Sequence, residues 1–296
     1  MVSFVRYRGI TAIFSLSIMA AFVGMCMYRI HTRGSAFTYS VDFEGGTQVL
    51  FGFNKHLGEA TLKDALQQAG FESVVARDFG KDEILVRVKD FSGDSRGVAE
   101  KMVQSIEKTI PGYEVTILQS EAVGPGVGEQ LRWKSVYAVL MALLILLIYI
   151  ALRFLSFGYA LGAVIALFHD AIVMLAVFLF LDREISINVI GAILAVLGYS
   201  INDTIIIFSQ IRKNCKEMMG SSIEQVVDVS INQTLRRTML TSFTTGLAVG
   251  SMYVLGGEAL RDFSLALLVG IVFGTYSSIY IASPVMMLFN RKTLAD

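Results

Sequence analysis

Six stretches of the chain are almost wholly apolar: 9–28, 135–152, 157–181, 185–209, 239–255 and 264–289. A hydrocarbon core of about 30 Å needs roughly 20 such residues in a helix, so each run predicts a membrane-crossing helix. Between the first two the period changes. Residues 39–53 are rich in β-type side chains around Gly45-Gly46, which predicts a strand with a bend or bulge. Leu62, Ala65, Leu66 and Ala69 share one face of a helix over 61–69 that Gly70 stops. Strands over 74–79 and 83–88 flank Gly80-Lys81-Asp82, a hairpin signal. A helix over 95–109 sets Val98, Met102, Val103 and Ile106 on one side before Pro111-Gly112, and 113–119 alternates again. The order β-α-β-β-α-β predicts a ferredoxin-like split βαβ domain. Residues 1–28 then hold the N-terminus and first membrane helix, 29–134 the α+β domain, and 135–296 the other five helices with a polar stretch at 210–236.

Composition supports this division. Of 296 residues 54% are hydrophobic and 17% charged, against about 25% charged in soluble domains. A formal net charge of +0 gives no global field for nucleic acid. Cys26 and Cys215 build neither a disulfide framework nor a metal site, and three scattered histidines add none. Arg6 and Arg8 open the first run as in a signal peptide, but it is too long and ends in Met-Cys-Met-Tyr-Arg, so an uncleaved helix is expected. Lysines and arginines in the short loops collect at one end, including Arg6, Arg8, Arg153, Arg212, Arg236, Arg237, Arg291 and Lys292, whereas the other short loops hold Arg183 and Arg261. The positive-inside rule then puts both termini in the cytoplasm and residues 29–134 outside it. Within 210–236, Ser222 and Gln225 have capping-box spacing, and Ile223, Val226, Val227 and Ser230 share a face, predicting a short helix along the membrane surface. Its basic rim reads as topological anchoring, with anionic lipid as a further partner.

Polar residues inside the apolar runs are the candidate chemistry. Asp203, beside Asn202, lies in a run without a basic residue, about six residues or roughly 9 Å of rise from Ser209. A charged aspartate at membrane depth costs on the order of 3 kcal/mol, so such groups face a bundle interior or water. Desolvation favours the neutral form of a carboxyl, which can then load and release a proton. Arg237 begins the next run at the same end, and its approach or withdrawal would change the proton affinity of Asp203; the bland alternative is an arginine snorkelling to the surface. Asp170 reads as a second proton site or as a structural acceptor for Thr241, Ser242 or Thr244. Adjacent helical residues point about 100° apart, so His169 and Asp170 are not expected to pair. Small residues recur every four positions at Gly158, Gly162 and Ala166, at Ser242, Gly246 and Gly250, and at Gly270, Gly274 and Ser278, which is how helices pack in lipid. Asn188, Gly191, Ala195, Gly198 and Asn202 make another such set beside Asp203.

Several longer motifs stand in one order: VDFEGGT at 41–47, VGPGVG at 123–128, His169-Asp170, GYSINDTIIIFSQIRKN at 198–214, TLRRTMLTS at 234–242 and FSLALLVGIVFGTYSSIYIASP at 263–284. Together they resemble the SecF family, subunits of the bacterial SecDF protein-export complex in the RND superfamily. The resemblance implies an RND-type half with six transmembrane helices and an extracytoplasmic ferredoxin-like domain between helices 1 and 2, in the bacterial inner membrane. It implies an accessory to the SecYEG translocon that pairs with a SecD-like subunit and uses the proton-motive force to help pull unfolded exported polypeptide across, with YajC- and YidC-type proteins as further partners. The family's intramembrane aspartate falls on Asp203 and its arginine on Arg237, although Arg236 doubles the basic position and Glu44 stands where a small polar residue is usual. No cofactor and no enzymatic chemistry are expected, since no hydrolase triad, P-loop or metal cluster appears. The competing readings are a non-energised scaffold for translocon subunits and half of a small-molecule transporter; one modest outer domain disfavours the latter.

Overall fold

The computed structural model describes residues 2–71, 73–80, 82–89 and 95–289. Helix α1 (Arg8–Arg33) follows a 3-10 turn and ends in left-handed Gly34. The soluble region then runs β1 (Thr38–Tyr39), α2 (Val41–Glu44), β2 (Gly46–Phe53), α3 (Glu59–Gln68), β3 (Val75–Gly80), β4 (Glu83–Val88), α4 (Ser95–Thr109) and β5 (Val115–Val123). Long helices follow: α5 (Pro125–Phe154), α6 (Phe157–Phe180), α7 (Ile187–Glu217) and α8 (Ile223–Leu255), with the two-residue strand β6 (Glu184–Ile185) before α7. The chain closes with α9 (Gly257–Ser277), a π turn (Ser278–Ala282) and α10 (Ser283–Phe289). Among the described residues six helical stretches are long and apolar enough to span a membrane. Lys81, Arg291 and Lys292, named above, lie outside the described residues.

The four long strands form an antiparallel sheet in the order β3-β4-β2-β5, the ferredoxin-like arrangement that the sequence predicts. Alternation sends Val49, Phe51, Ile84 and Val86 to one face, where they pack with Leu62 and Leu66 of α3 and Met102 and Ile106 of α4. Burying each such side chain contributes about 1.5–3 kcal/mol. The opposite face, with Gln48, Leu50 and Leu85, lines a polar cavity of about 330 Å³ whose other wall includes Glu184, Ser186 and Asn188 at the adjoining end of the helical bundle.

Three expectations are corrected. First, 39–53 is not one bent strand: β1 pairs in parallel with β6 of the bundle, α2 makes a helical turn, and the sheet strand starts at Gly46. Gly45 and Gly46 have φ of 77° and 115°, open to glycine and strained for other residues, and a β-carbon on Gly46 would lie 2.4 Å from the Val88 carbonyl oxygen. Second, 210–236 is not a loop with a separate surface helix. Helix α7 continues to Glu217 and α8 starts at Ile223, with Ser222 accepting from the Gln225 amide at 3.3 Å. Asn214 Nδ2 donates to Ser230 Oγ and Gln233 Oε1, each at 2.8 Å, and Gln210 Nε2 reaches the same Gln233 oxygen at 2.8 Å. This amide ladder zips α7 to α8, so Val226, Val227 and Ile231 bury in the bundle core. Third, the second membrane helix starts at Pro125 and the last contains the π turn.

Candidate functional site

Helix α7 carries the central carboxyl. Asp203 is 2% exposed, and its Oδ2 has no hydrogen-bond partner; a buried polar atom left open is rare in folded proteins. Arg237 and Ser242 of α8 lie near enough to act on this carboxyl electrostatically. Arg237 is exposed and is not ion-paired with Asp203 in this structure. Ser242 Oγ also sits 2.7 Å from Thr275 Oγ1 of α9, which donates to the Ile271 carbonyl at 3.0 Å. With the Thr275 proton given to that carbonyl, Ser242 is the donor in the pair. Thr238 Oγ1, next to Arg237 in sequence, is a second buried atom without a partner. Asn202 is exposed, about 100° round α7 from Asp203, and does not join it.

Asp170 of α6 has the opposite character. It is fully buried and its Oδ2 accepts from Ser200 of α7 at 2.7 Å and Ser277 of α9 at 2.9 Å. One carboxyl thus ties three helices. The hydroxyls expected from α8 are elsewhere: Thr241 and Thr244 donate to carbonyls of their own helix, and Ser242 faces Thr275. His169 and Asp170, not expected to pair, approach to 3.4 Å between Nδ1 and Oδ1. Fixing Oδ2 between two serines leaves Oδ1 turned toward the ring. His169 Nε2 is buried without a partner.

Ser200, Thr204 and Ser277 lie inside the sequence motifs without standing out there as candidates; Thr204 Oγ1 donates to Ser278 Oγ at 3.1 Å. The small-residue spacing pointed toward them, because α9 is narrow where α7 crosses. A β-carbon on Gly270 would lie 2.3 Å from Val196 Cγ2, and one on Gly274 would lie 3.0 Å from Ser200 Oγ. Such close approach brings polar groups of neighbouring helices into hydrogen-bonding range.

A six-helix bundle with buried acids beside a ferredoxin-like domain defines a multi-pass membrane protein of the transport class. Residues 102–292 match the family described as "Protein export membrane protein SecD/SecF, C-terminal". The chain is 36% identical over 298 residues to protein translocase subunit SecF of Rhodothermus marinus, covering 99% of this chain and 94% of that one. It is 37% identical over 286 residues to SecF of Vibrio alginolyticus, covering 95% and 88%. The crystal structure of SecDF from Thermus thermophilus superposes with a TM-score of 0.86 at 35% identity, covering 98% of this chain and 39% of that one. A SecDF crystal structure in a super-membrane-facing form gives 0.70 at 34% identity, covering 99% and 39%. The chain belongs to the SecF family of protein translocase subunits, which assist Sec-dependent protein export. It spans about two fifths of the solved SecDF polypeptides.

Proposed function

We propose that this chain is the SecF half of a proton-driven export machine in the bacterial inner membrane, with Asp203 as the proton carrier and Arg237 as its modulator. The observation that carries the reading is the open lone-pair position on a carboxyl sequestered in a membrane helix. Asp170, saturated by serines, holds the helix crossing around it. Asn202 occupies an exposed face available to a second subunit. Proton entry neutralises Asp203 and removes its electrostatic attraction for the Arg237 charge; proton exit restores it. One charge crossing 100 mV supplies about 2.3 kcal/mol, and each pH unit adds about 1.4 kcal/mol. That is enough to redistribute conformations separated by a few kcal/mol.

A SecD-type chain supplies the remainder of the machine, as the short coverage of SecDF supports. The SecYEG translocon, YajC- and YidC-type proteins and the exported polypeptide are the wider partners that the family resemblance implies. Both termini face the cytoplasm, as the loop charges predict. The test is Asp203→Asn in proteoliposomes containing SecYEG and the SecD-type partner. Insertion is expected to persist while proton-gradient stimulation of export is lost. Full stimulation would instead favour a non-energised scaffold.

A further inference from the structure

We propose that Arg87, Glu184 and Asp42 form a transmission joint between the soluble domain and α7, making them positioning residues for export. The inference rests on the proton-driven reading above, but concerns how events at Asp203 reach the outer domain.

The outer end of α7 is built partly from the domain's own entry segment. Thr38 and Tyr39 pair in parallel with Glu184 and Ile185, and the Ser40 amide donates to the Ile185 carbonyl at 3.0 Å. Asp42 Oδ2 accepts from the Ile187 amide at 3.1 Å and from Ser40 Oγ at 2.9 Å. A carboxylate from the linker therefore satisfies a first-turn amide of α7, beside the Ser186 cap on Val189. Such acceptors hold helix N-termini because the first amides lack partners within the helix.

Charge fixes the sheet to the same point. Arg87, in β4 between its β2 and β3 neighbours, faces the bundle and lies 3.7 Å from Glu184, while Arg77 of β3 lies 3.5 Å from it. Arg87 also lies 3.5 Å from Glu44 and donates to the Tyr39 carbonyl. The Arg87 and Glu184 side chains are 13% and 14% exposed, which separates this contact from exposed ion pairs of little worth.

The surroundings leave little slack. A β-carbon on Gly128 of α5 would sit 3.0 Å from the Gly45 nitrogen, so the entry segment is pressed against α5 as well. From Ile187 to Asp203 the helix is continuous, roughly 24 Å at 1.5 Å per residue. A shift of α7 at the proton site is thus delivered to Glu184 and Asp42, and through Arg87 to the sheet.

The experiment measures domain position directly, using the full chain with its SecD-type partner in lipid and with Cys26 and Cys215 replaced. Spin labels at exposed Glu114 and Leu155 report the domain-to-bundle distance. Asp203→Asn, mimicking the protonated state, is expected to shift that distance when the joint is intact. In the Arg87→Ala/Glu184→Ala background the shift should vanish, and gradient-stimulated export should fall at least fivefold. Asp42→Asn, which keeps an acceptor for Ile187, should retain the shift that Asp42→Ala loses. If the double alanine variant does not insert, Arg87→Ala alone, which removes the contacts to Glu184, Glu44 and the Tyr39 carbonyl together, provides the same comparison. No shift with an intact joint, or an undiminished shift with a broken one, would overturn the proposal. Neither result touches the proton-carrier reading, which stands or falls on the export defect of Asp203→Asn.

Discussion

Gly274 lies so close to Ser200 that a β-carbon would come within 3.0 Å of the serine oxygen, and that serine donates to Asp170 at 2.7 Å. Backbone proximity on one helix therefore sets a hydrogen bond between two others. Gly270 makes the analogous contact with Val196 one turn away, with a still shorter clearance of 2.3 Å. Overpacking of this kind costs about 1–3 kcal/mol. Gly270→Ala should lower the thermal unfolding temperature in detergent, and Val196→Ala should recover most of the loss. Failure of the valine change to compensate would mean that the helices meet differently.

Asp170 and Asp203 should respond differently to removal. Asp170→Ala leaves the Ser200 hydroxyl without its acceptor, at about 1–3 kcal/mol for an unsatisfied buried group, while Ser277 keeps the Gly274 carbonyl at 3.1 Å. Its main effect should be lower thermal stability, with Asp170→Asn milder. Asp203→Asn should leave the melting temperature near that of the parent while gradient-stimulated export disappears. Equal destabilisation by the two asparagine variants would contradict this division.

Arg237 and Arg236 can be separated by single substitutions. The charge acting on Asp203 comes from Arg237, so Arg237→Ala should reduce gradient-stimulated export at least tenfold, and Arg237→Lys should retain part of it. Arg236→Ala should lie within twofold of the parent. A reversed order would transfer the modulating role to Arg236.

The domain joint should carry a pH signature. Burial pushes the Glu184 carboxyl above its usual range, against Arg87 and Arg77 and with Asp262 and Glu44 acting in the same direction as burial. If the carboxyl regains its usual affinity on undocking, the docked form binds the extra proton. Docking is then favoured fully below the usual carboxylate range, and that contribution is lost as pH rises through the raised value. The Glu114-to-Leu155 distance distribution should show the docked population falling with pH, and Glu184→Gln should flatten the curve. An unchanged curve in that variant would assign the effect to another group.

Periodic features were legible in the sequence because each residue reports its own face. Val98, Met102 and Ile106 sit four apart and bury together, and the helix over 95–109 has the expected bounds. The turn between α7 and α8 was hidden because its amides, Gln210, Asn214 and Gln233, resemble loop residues until they bond across the hairpin. Asp203 stood out as a lone acid in an apolar run. Ser200 and Ser277 did not, because a serine in a membrane helix ordinarily bonds its own backbone, and its use by a distant carboxyl depends on tertiary packing. The joint at Glu184 was equally silent: Arg87 occupies an outward strand position that reads as solvent-facing until the bundle lies against it.

The π turn at 278–282 gives adjacent serines separate duties: Ser277 bonds Asp170, whereas Ser278 accepts from Thr204. From its last residue onward, Gly162 is pressed against the backbone of Ala282 and Met286. Deleting one residue to regularise the coil would rotate everything downstream by about 100°, unseating that groove while the serines stayed put. The segment's length is therefore a phase setting between two fixed docking points, and a shortened version has no register that satisfies both.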